Sequence, residues 1–251
     1  MSDWYQTVHE LNNRRIPVAT VTIIRGTGLG GKIVVTADEV TGSLGASELD
    51  IAAIELAKAA LDSEKSGIVS IADGVDAFAE VFPVTPQLII VGAVHAAQAL
   101  IPIARTLGFY IVVVDARQQL ATAERFPDVD ELIVSWPDEA IAKLTVTKST
   151  AIAILTHDPK FDEPALLAAL ATDANYIGAV GSRSTNADRR DRLRAAGVSE
   201  EQLARVHGPI GLDIGGKLPE EMAISIMAEI IAVRNNRTGQ TLTASAGAIR
   251  A

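Results

Sequence analysis

Cysteine is missing altogether from the 251 residues. That excludes a disulfide framework, cysteine metal ligands, a catalytic thiolate and a persulfide carried on this chain, so any sulfur chemistry has to take place elsewhere. Aromatic residues are scarce, at 4%, and basic residues are outnumbered, 22 Lys and Arg against 31 Asp and Glu, for a formal charge of −9. A general nucleic-acid binder needs a broad Lys/Arg face and often stacking rings, so nucleic acid is not an expected partner. No uncharged apolar run reaches the roughly 18 residues of a membrane span, and the opening MSDWY has no basic run leading into an apolar stretch. The expectation is a cytoplasmic protein without a membrane span. What is abundant is apolar surface: 48% hydrophobic against 21% charged residues supplies a substantial core for one or two domains.

The pattern of that apolar surface changes along the chain. Residues 3–13 are weakly helical in periodicity, residues 16–25 are β-branched, Gly26 to Gly31 breaks the chain, and residues 32–37 form a second strand. After the turn-like TGSLG at 41–45, residues 47–61 space Leu49, Ala53, Leu56, Ala57 and Ala60 at helical intervals, with Ser47 or Asp50 as N-cap. Two short strands, 67–72 and 77–82, flank Asp73-Gly74-Val75-Asp76, a hairpin signal. Pro83 then marks a boundary.

From Gln87 onward, short apolar runs (LIIVG, YIVVVD, ELIVS, AIAILT, YIGAVG) alternate with helical stretches at 95–107, 121–126, 162–171 and 182–196, and a longer helix, 219–234, follows. Such runs are the mark of buried parallel strands. The fold class is therefore α/β: a small N-terminal α+β domain over residues 1–83, then a Rossmann-like doubly wound parallel-sheet domain over residues 84–237. Residues 238–251, small and polar, are expected to be a mobile tail.

The chemistry-bearing residues gather after strands. Gly92-Ala93-Val94-His95 follows the first strand of the second half and opens a helix, and Asp115, with Arg117 beyond it, closes the next strand. This is the context of a dinucleotide fold, in which helix N–H groups hold phosphate and the acidic residue accepts from ribose. Val94 stands where that motif needs its second glycine, which limits close approach of a pyrophosphate and favours another ligand on the same scaffold. A second such turn, Gly181-Ser182-Arg183-Ser184-Thr185, leads into a helix where Arg183, Arg189, Arg190, Arg192 and Arg194 outnumber Asp188 and Asp191. The excess suits a phosphate or an acidic partner, with Arg183 beside the loop the strongest candidate.

Of four histidines, His157, followed by Asp158, and His207 also follow strands. They are candidates for acid–base work or for hydrogen bonding to a ligand, against the alternative that they only tie loops together. No pair has the local spacing of a zinc motif, and no metal site is expected.

The order of these segments, AEVFPVTPQLIIVGAVHAAQAL, VVVDARQQLATAERFPDVDELIVSWPDE, LTHDPKFDEPALLAAL, YIGAVGSRST and HGPIGLDIGGKLPEEMAISIMAEIIAVRN, resembles the XdhC/CoxI family. The resemblance runs from about Phe78 to Asn235. It implies an accessory factor for a molybdenum hydroxylase of the xanthine dehydrogenase or CO dehydrogenase type, one that binds molybdenum cofactor (molybdopterin), assists its sulfuration and delivers it to the apo-enzyme. It also implies a small N-terminal domain joined to a Rossmann-like one. Family N-terminal domains carry a GS-x-SGGC-x-E stretch, and the matching segment here, residues 42–50, has Glu48 where the cysteine stands. A cysteine desulfurase or a cysteine-bearing paralogue would then have to contribute the sulfur, and a homodimer is expected for a small two-domain protein.

In this reading the crevice is formed by Gly92, Ala93, Val94, His95, Asp115, Arg117, Gly181, Ser182 and Arg183 as cofactor-binding residues. His157, Asp158 and His207 are the chemically active ones. The alternative is an enzyme, an NAD(P)-dependent oxidoreductase using the same crevice.

Overall fold

A computed structural model describes residues 4–82 and 84–245. The chain divides into two compact units between Val84 and Thr85; Pro83 itself, where the boundary is expected, lies outside the described residues, as does the end of the expected tail, 246–251. Within residues 238–245 there is one turn, in which Ala244 and Ser245 donate to the Thr241 carbonyl.

The first unit contains α1 (Trp4–Asn13), β1 (Val18–Arg25), β2 (Lys32–Val35), β3 (Val40–Ser43), α2 (Ser47–Ser63), β4 (Gly67–Ala72) and β5 (Val75–Phe82). Its sheet is antiparallel in the order β3-β2-β1-β5-β4. Strand alternation divides the apolar residues between two faces. Ala19, Val21, Ile23, Ile33, Val35, Ala77 and Ala79 pack with Ala53, Ala57 and Ala60 of α2, while Val18 and Val34 pack with Val8 and Leu11 of α1.

Two expectations need correction here. The segment around Gly42 is not a turn only, because 40–43 pair with β2 as the edge strand β3. The N-cap of α2 is neither Ser47 nor Asp50 but Ala46, whose side chain has nothing to donate or accept. Asp50 instead reaches back from the first turn to accept from the Leu44 N–H and the Ser43 hydroxyl. A carboxylate there fastens the preceding loop to the helix and suits the positive end of the helix, without capping its N–H groups.

The second unit runs β6 (Gln87–Val91), α3 (His95–Thr106), β7 (Tyr110–Val114), β8 (Glu131–Ile133), α4 (Pro137–Ile141), β9 (Thr150–Ile154), α5 (Pro159–Leu170), β10 (Tyr176–Ala179), α6 (Arg183–Ala195), α7 (Glu200–Ala204), β11 (Val206–His207) and α8 (Pro219–Arg234). All six strands are parallel, in the order β11-β10-β9-β6-β7-β8. Leu88, Ile90, Ile111 and Val113 face α3 and α8, and Ile89, Val91, Val112, Ile152 and Ile154 face α4, α5 and α6. Burial on both sides explains why these strands read as continuous apolar runs. The chain moves outward from β6 through β7 to β8, then returns to add β9, β10 and β11 on the other side. The crevice beyond the carboxyl ends of β6 and β9 is thus the topological switch point where such sheets bind ligands.

The helix expected at 121–126 does not form; the segment is a succession of turns. Pro127 disfavours helical backbone at Phe126, and the Arg125 guanidinium holds the chain by donating to the Leu120 and Ala93 carbonyls. The helix expected from 162 begins earlier, at Pro159. His207, expected in a loop, closes the short strand β11, and α7 was not foreseen.

Candidate functional site

The turn after β6 is anchored before any ligand is considered. Gly92 has φ +112° and sits so close to the next loop that an added Cβ would meet Thr156 Cγ2 at 2.7 Å and its backbone nitrogen at 3.1 Å. Glycine is therefore required at this crossing of the two loops. The Gly92 N–H donates to the Val114 carbonyl, and the Ala93 N–H donates to Asp115 Oδ2 at 2.7 Å.

Asp115, 3% exposed, also accepts from the Arg117 backbone N–H, from its Nε and from its Nη2, at 2.7–2.9 Å. Burial alone would raise this carboxyl, but the hydrogen bonds from Arg117 and Ala93 outweigh it and hold the group below its ordinary value. The expected ribose acceptor is thus already saturated: Asp115 fastens the turn, and Arg117 is fastened to it. His95, in the first turn of α3, is exposed.

The turn after β10 is built by side chains of α6. Ser182 is the N-cap and accepts from the Thr185 N–H at 3.1 Å. Asn186 Nδ2 donates to the Gly181 and Ser182 carbonyls at 3.1 Å each, and Arg189 Nη1 donates to the Val180 carbonyl at 2.9 Å. With those carbonyls engaged from inside, the loop is left to offer N–H groups, hydroxyls and the Arg183 guanidinium.

The arginine excess expected for a phosphate or an acidic partner is largely consumed within the protein. Arg189 pairs with Asp162 at 2.8 Å, both side chains nearly inaccessible. Arg190 donates to the Val206 carbonyl, Arg192 pairs with Glu163, and Arg194 pairs with Asp191 and Glu200. Arg183 is exposed and has no ion-pair partner among the described residues.

The loop after β9 carries His157 and Asp158. Asp158 is the N-cap of α5, accepting from the Lys160 N–H at 3.0 Å, and His157 is exposed. Beneath them Thr156 donates to Asp162, whose other oxygen meets Arg189. Burial pushes the Asp162 carboxyl up to about 6, against the opposing pull of Arg189. Thr156, Asp162, Arg189 and Asn186 thus form one continuous network that ties the loop after β9 to the loop after β10.

At the end of β11, His207 Nδ1 lies 3.1 Å from Glu229 of α8, which also accepts from Tyr176 and from the Gly211 N–H. No group of three or more potential metal ligands occurs among the described residues.

Sequence reasoning missed Asp162, Asn186, Tyr176 and Glu229, and it counted Arg189 toward an external phosphate or acidic partner rather than toward Asp162. A signal was present for three of them. Asn186 and Arg189 fall at helical spacing with Leu193 on the buried face of α6, and Glu229 interrupts an apolar run between Met227 and Ile230. A polar group at a buried position needs a partner, although its identity is not legible locally.

Comparison with known proteins bears on this architecture directly. Residues 88–230 match the model of the XdhC Rossmann domain, and residues 11–72 match that of the XdhC and CoxI family. An uncharacterized Escherichia coli protein, YqeB, is 29% identical over 92% of this chain and 46% of its own. A Bacillus subtilis protein named as a probable subunit of xanthine dehydrogenase is 32% identical over 59% of this chain and 43% of its own. The Escherichia coli molybdenum cofactor insertion chaperone PaoD is 32% identical over 38% and 30%. This chain spans less than half the length of each of these relatives. A crystal structure described as a xanthine dehydrogenase from Bacillus halodurans shares the fold at TM-score 0.55 and 20% identity, covering 98% of both chains. No helix among the described residues is long and apolar enough to cross a membrane.

Proposed function

The chain belongs to the XdhC and CoxI family, and from that premise we propose that it is a maturation factor for a molybdenum hydroxylase. It binds molybdenum cofactor as cargo at the carboxyl ends of the parallel strands and releases it to the apo-enzyme. Relatives named as a molybdenum cofactor insertion chaperone and as a probable subunit of xanthine dehydrogenase support this reading.

The observation that carries the site is the contrast within α6: the downstream arginines are spent on internal partners, while Arg183 stays exposed at the helix start beside Ser182 and Gly181. A guanidinium and helix N–H groups fit the cofactor's phosphate, and His157, Asp158 and His207 border the same loops to meet the polar rim of the pterin. Thiolate ligation is not available from this chain, which has no cysteine. Glu48, at the position corresponding to the family cysteine, is an exposed residue in the first turn of α2. The sulfuration step therefore requires sulfur from a cysteine desulfurase or a cysteine-bearing paralogue, acting in the cytoplasm on a homodimer of this chain.

The nicotinamide alternative has less behind it. The strand order suits a dinucleotide, but Val94 occupies the glycine position and Asp115 has no acceptor capacity to spare for a ribose.

Native mass spectrometry with metal analysis tests the proposal, on protein produced in a host that makes molybdenum cofactor. A pterin-sized, molybdenum-containing adduct is expected, together with its loss in Arg183→Ala. Protein that carries no such adduct, and whose removal leaves the partner hydroxylase fully active, would overturn it; uptake of a nicotinamide nucleotide instead would favour the oxidoreductase.

A further inference from the structure

Where β10 and β11 pack against α8, three ionisable side chains, Tyr176, Glu229 and His207, stand in line. Tyr176 is 1% exposed, and its phenol oxygen lies beside Gly178, where an added Cβ would come within 2.7 Å of it. Its hydroxyl lies 2.5 Å from Glu229 Oε2, and the same oxygen accepts from the Gly211 N–H at 2.7 Å. The other oxygen, Oε1, faces His207 Nδ1 at 3.1 Å, and the imidazole is stacked on the Tyr176 ring at 4.7 Å and 25°. Arg190, from α6, ends on the Val206 carbonyl of the same short strand. His207 Nε2 has no partner among the described residues, and the histidine side chain is 30% exposed.

The proton assignment follows from the donors. A backbone N–H can only donate, and burial pushes the Tyr176 phenol up, so it keeps its proton and donates as well. Burial works against ionisation of Glu229, but the bonds from His207, Tyr176 and Gly211 overcome it and hold the carboxyl below its usual value. An ionised carboxylate only accepts, so Nδ1 must be the donor.

We propose that Glu229, oriented by Tyr176 and the Gly211 N–H, is a positioning residue that holds His207 in the tautomer protonated on Nδ1, and that Nε2 is the working atom at this end of the crevice. Nε2 accepts a hydrogen bond from an N–H or O–H group of the ligand. The identity of that ligand rests on the function proposed above, and a reduced pterin is a heterocycle of this class, carrying N–H donors around its ring. The tautomer itself is independent of it.

Glu229→Gln gives the test. The amide oxygen of glutamine must take the Oε2 position, where two donors already point, and its NH2 group then faces Nδ1. Nδ1 is forced to accept and the proton moves to Nε2. Nitrogen-15 NMR of histidine-labelled protein without cargo, with His207 identified through His207→Gln, reads the tautomer directly. The Nδ1–H form is expected in at least about tenfold excess in the wild type, as a bond to a charged group supports, with the preference reversed in Glu229→Gln.

A wild-type protein predominantly protonated on Nε2, or a folded Glu229→Gln protein with an unchanged tautomer, would overturn the assignment. If Glu229→Gln does not fold, the wild-type measurement alone decides. In protein isolated with molybdenum cofactor, Glu229→Gln and His207→Gln are each expected to lower retention about tenfold; unchanged retention in both would remove Nε2 from the ligand contact. Loss of cargo in Arg183→Ala reports on the carrier function separately, so either reading can fail while the other stands.

Discussion

Arg183 and Arg189 begin with the same chemistry and end with opposite consequences when changed. Arg183 is exposed, so Arg183→Ala is expected to leave stability within about 0.5 kcal/mol of the wild type. The same change should weaken retention of a phosphate-bearing cargo by roughly tenfold or more, the value of a charge-assisted hydrogen bond; denaturant unfolding and cargo stoichiometry read the two effects separately. Arg189→Ala strands the buried Asp162 carboxylate and should cost about 3–5 kcal/mol in the same unfolding experiment.

Asp162 also sets a pH dependence. Its carboxyl is pushed up to about 6 in the folded chain, above the ordinary value of roughly 3.9 for an unfolded aspartate. Between those values the native state binds more protons than the unfolded state, so stability falls as pH rises through the window and the loss is complete above about 6. Asp162→Asn is expected to remove that part of the slope, measured as denaturant midpoints from pH 4 to 7; an unchanged slope would mean that the native carboxyl ionises normally. The presence of charge at these positions was legible in the sequence, but its disposal was not. Arg183 was distinguished by its place beside a glycine loop, whereas nothing local to Arg189 points to Asp162, far away in the chain.

The elements owe their legibility to periodicity and their exceptions to individual side chains. The strand runs of the second half and the helix Pro219–Arg234 are where the apolar pattern puts them, because burial on both faces of a parallel sheet leaves little freedom in composition. Residues 121–126 have the composition of a short helix and form turns, since Arg125 engages the Leu120 carbonyl at the start of the segment and Pro127 follows. Edge strand β3 is four exposed residues and carries no apolar pattern to read.

Where elements cross closely, glycine is the limiting residue. Gly92→Ala combines an unfavourable positive φ with a Cβ lodged against Thr156, and is expected to destabilise the chain by roughly 2–4 kcal/mol. It should also displace the turn that offers the Val94 and His95 N–H groups. A matching loss of cargo alongside a lower urea midpoint would bear this out; an unchanged midpoint would show that the two loops do not need their present spacing.

On the scale of the molecule, each unit carries its own core. The parallel sheet is sandwiched between helices of its own unit, so residues 85–251 produced alone are expected to fold cooperatively. Dispersed amide resonances and a single sharp denaturation transition are the expected result, and a collapsed, poorly dispersed spectrum would show that the sheet needs the first 84 residues.

The sequence by itself determined the α/β class, the placing of the glycine turns after strands, the exclusion of thiol chemistry and the family. Those properties reside in local periodicity, turn chemistry and the order of short motifs. Only the tertiary structure decided which of those charged groups remain available to a ligand. Asp115 is consumed by Arg117 and Ala93, four arginines of α6 find acceptors at home, Arg183 does not, and Glu229 meets His207 across the length between β11 and α8. Arg117 with Asp115 and Arg194 with Asp191 are local pairs, but Arg189 with Asp162, Arg192 with Glu163 and His207 with Glu229 join residues of separate elements brought together by the packing of sheet and helices, and no local pattern encodes which partner arrives.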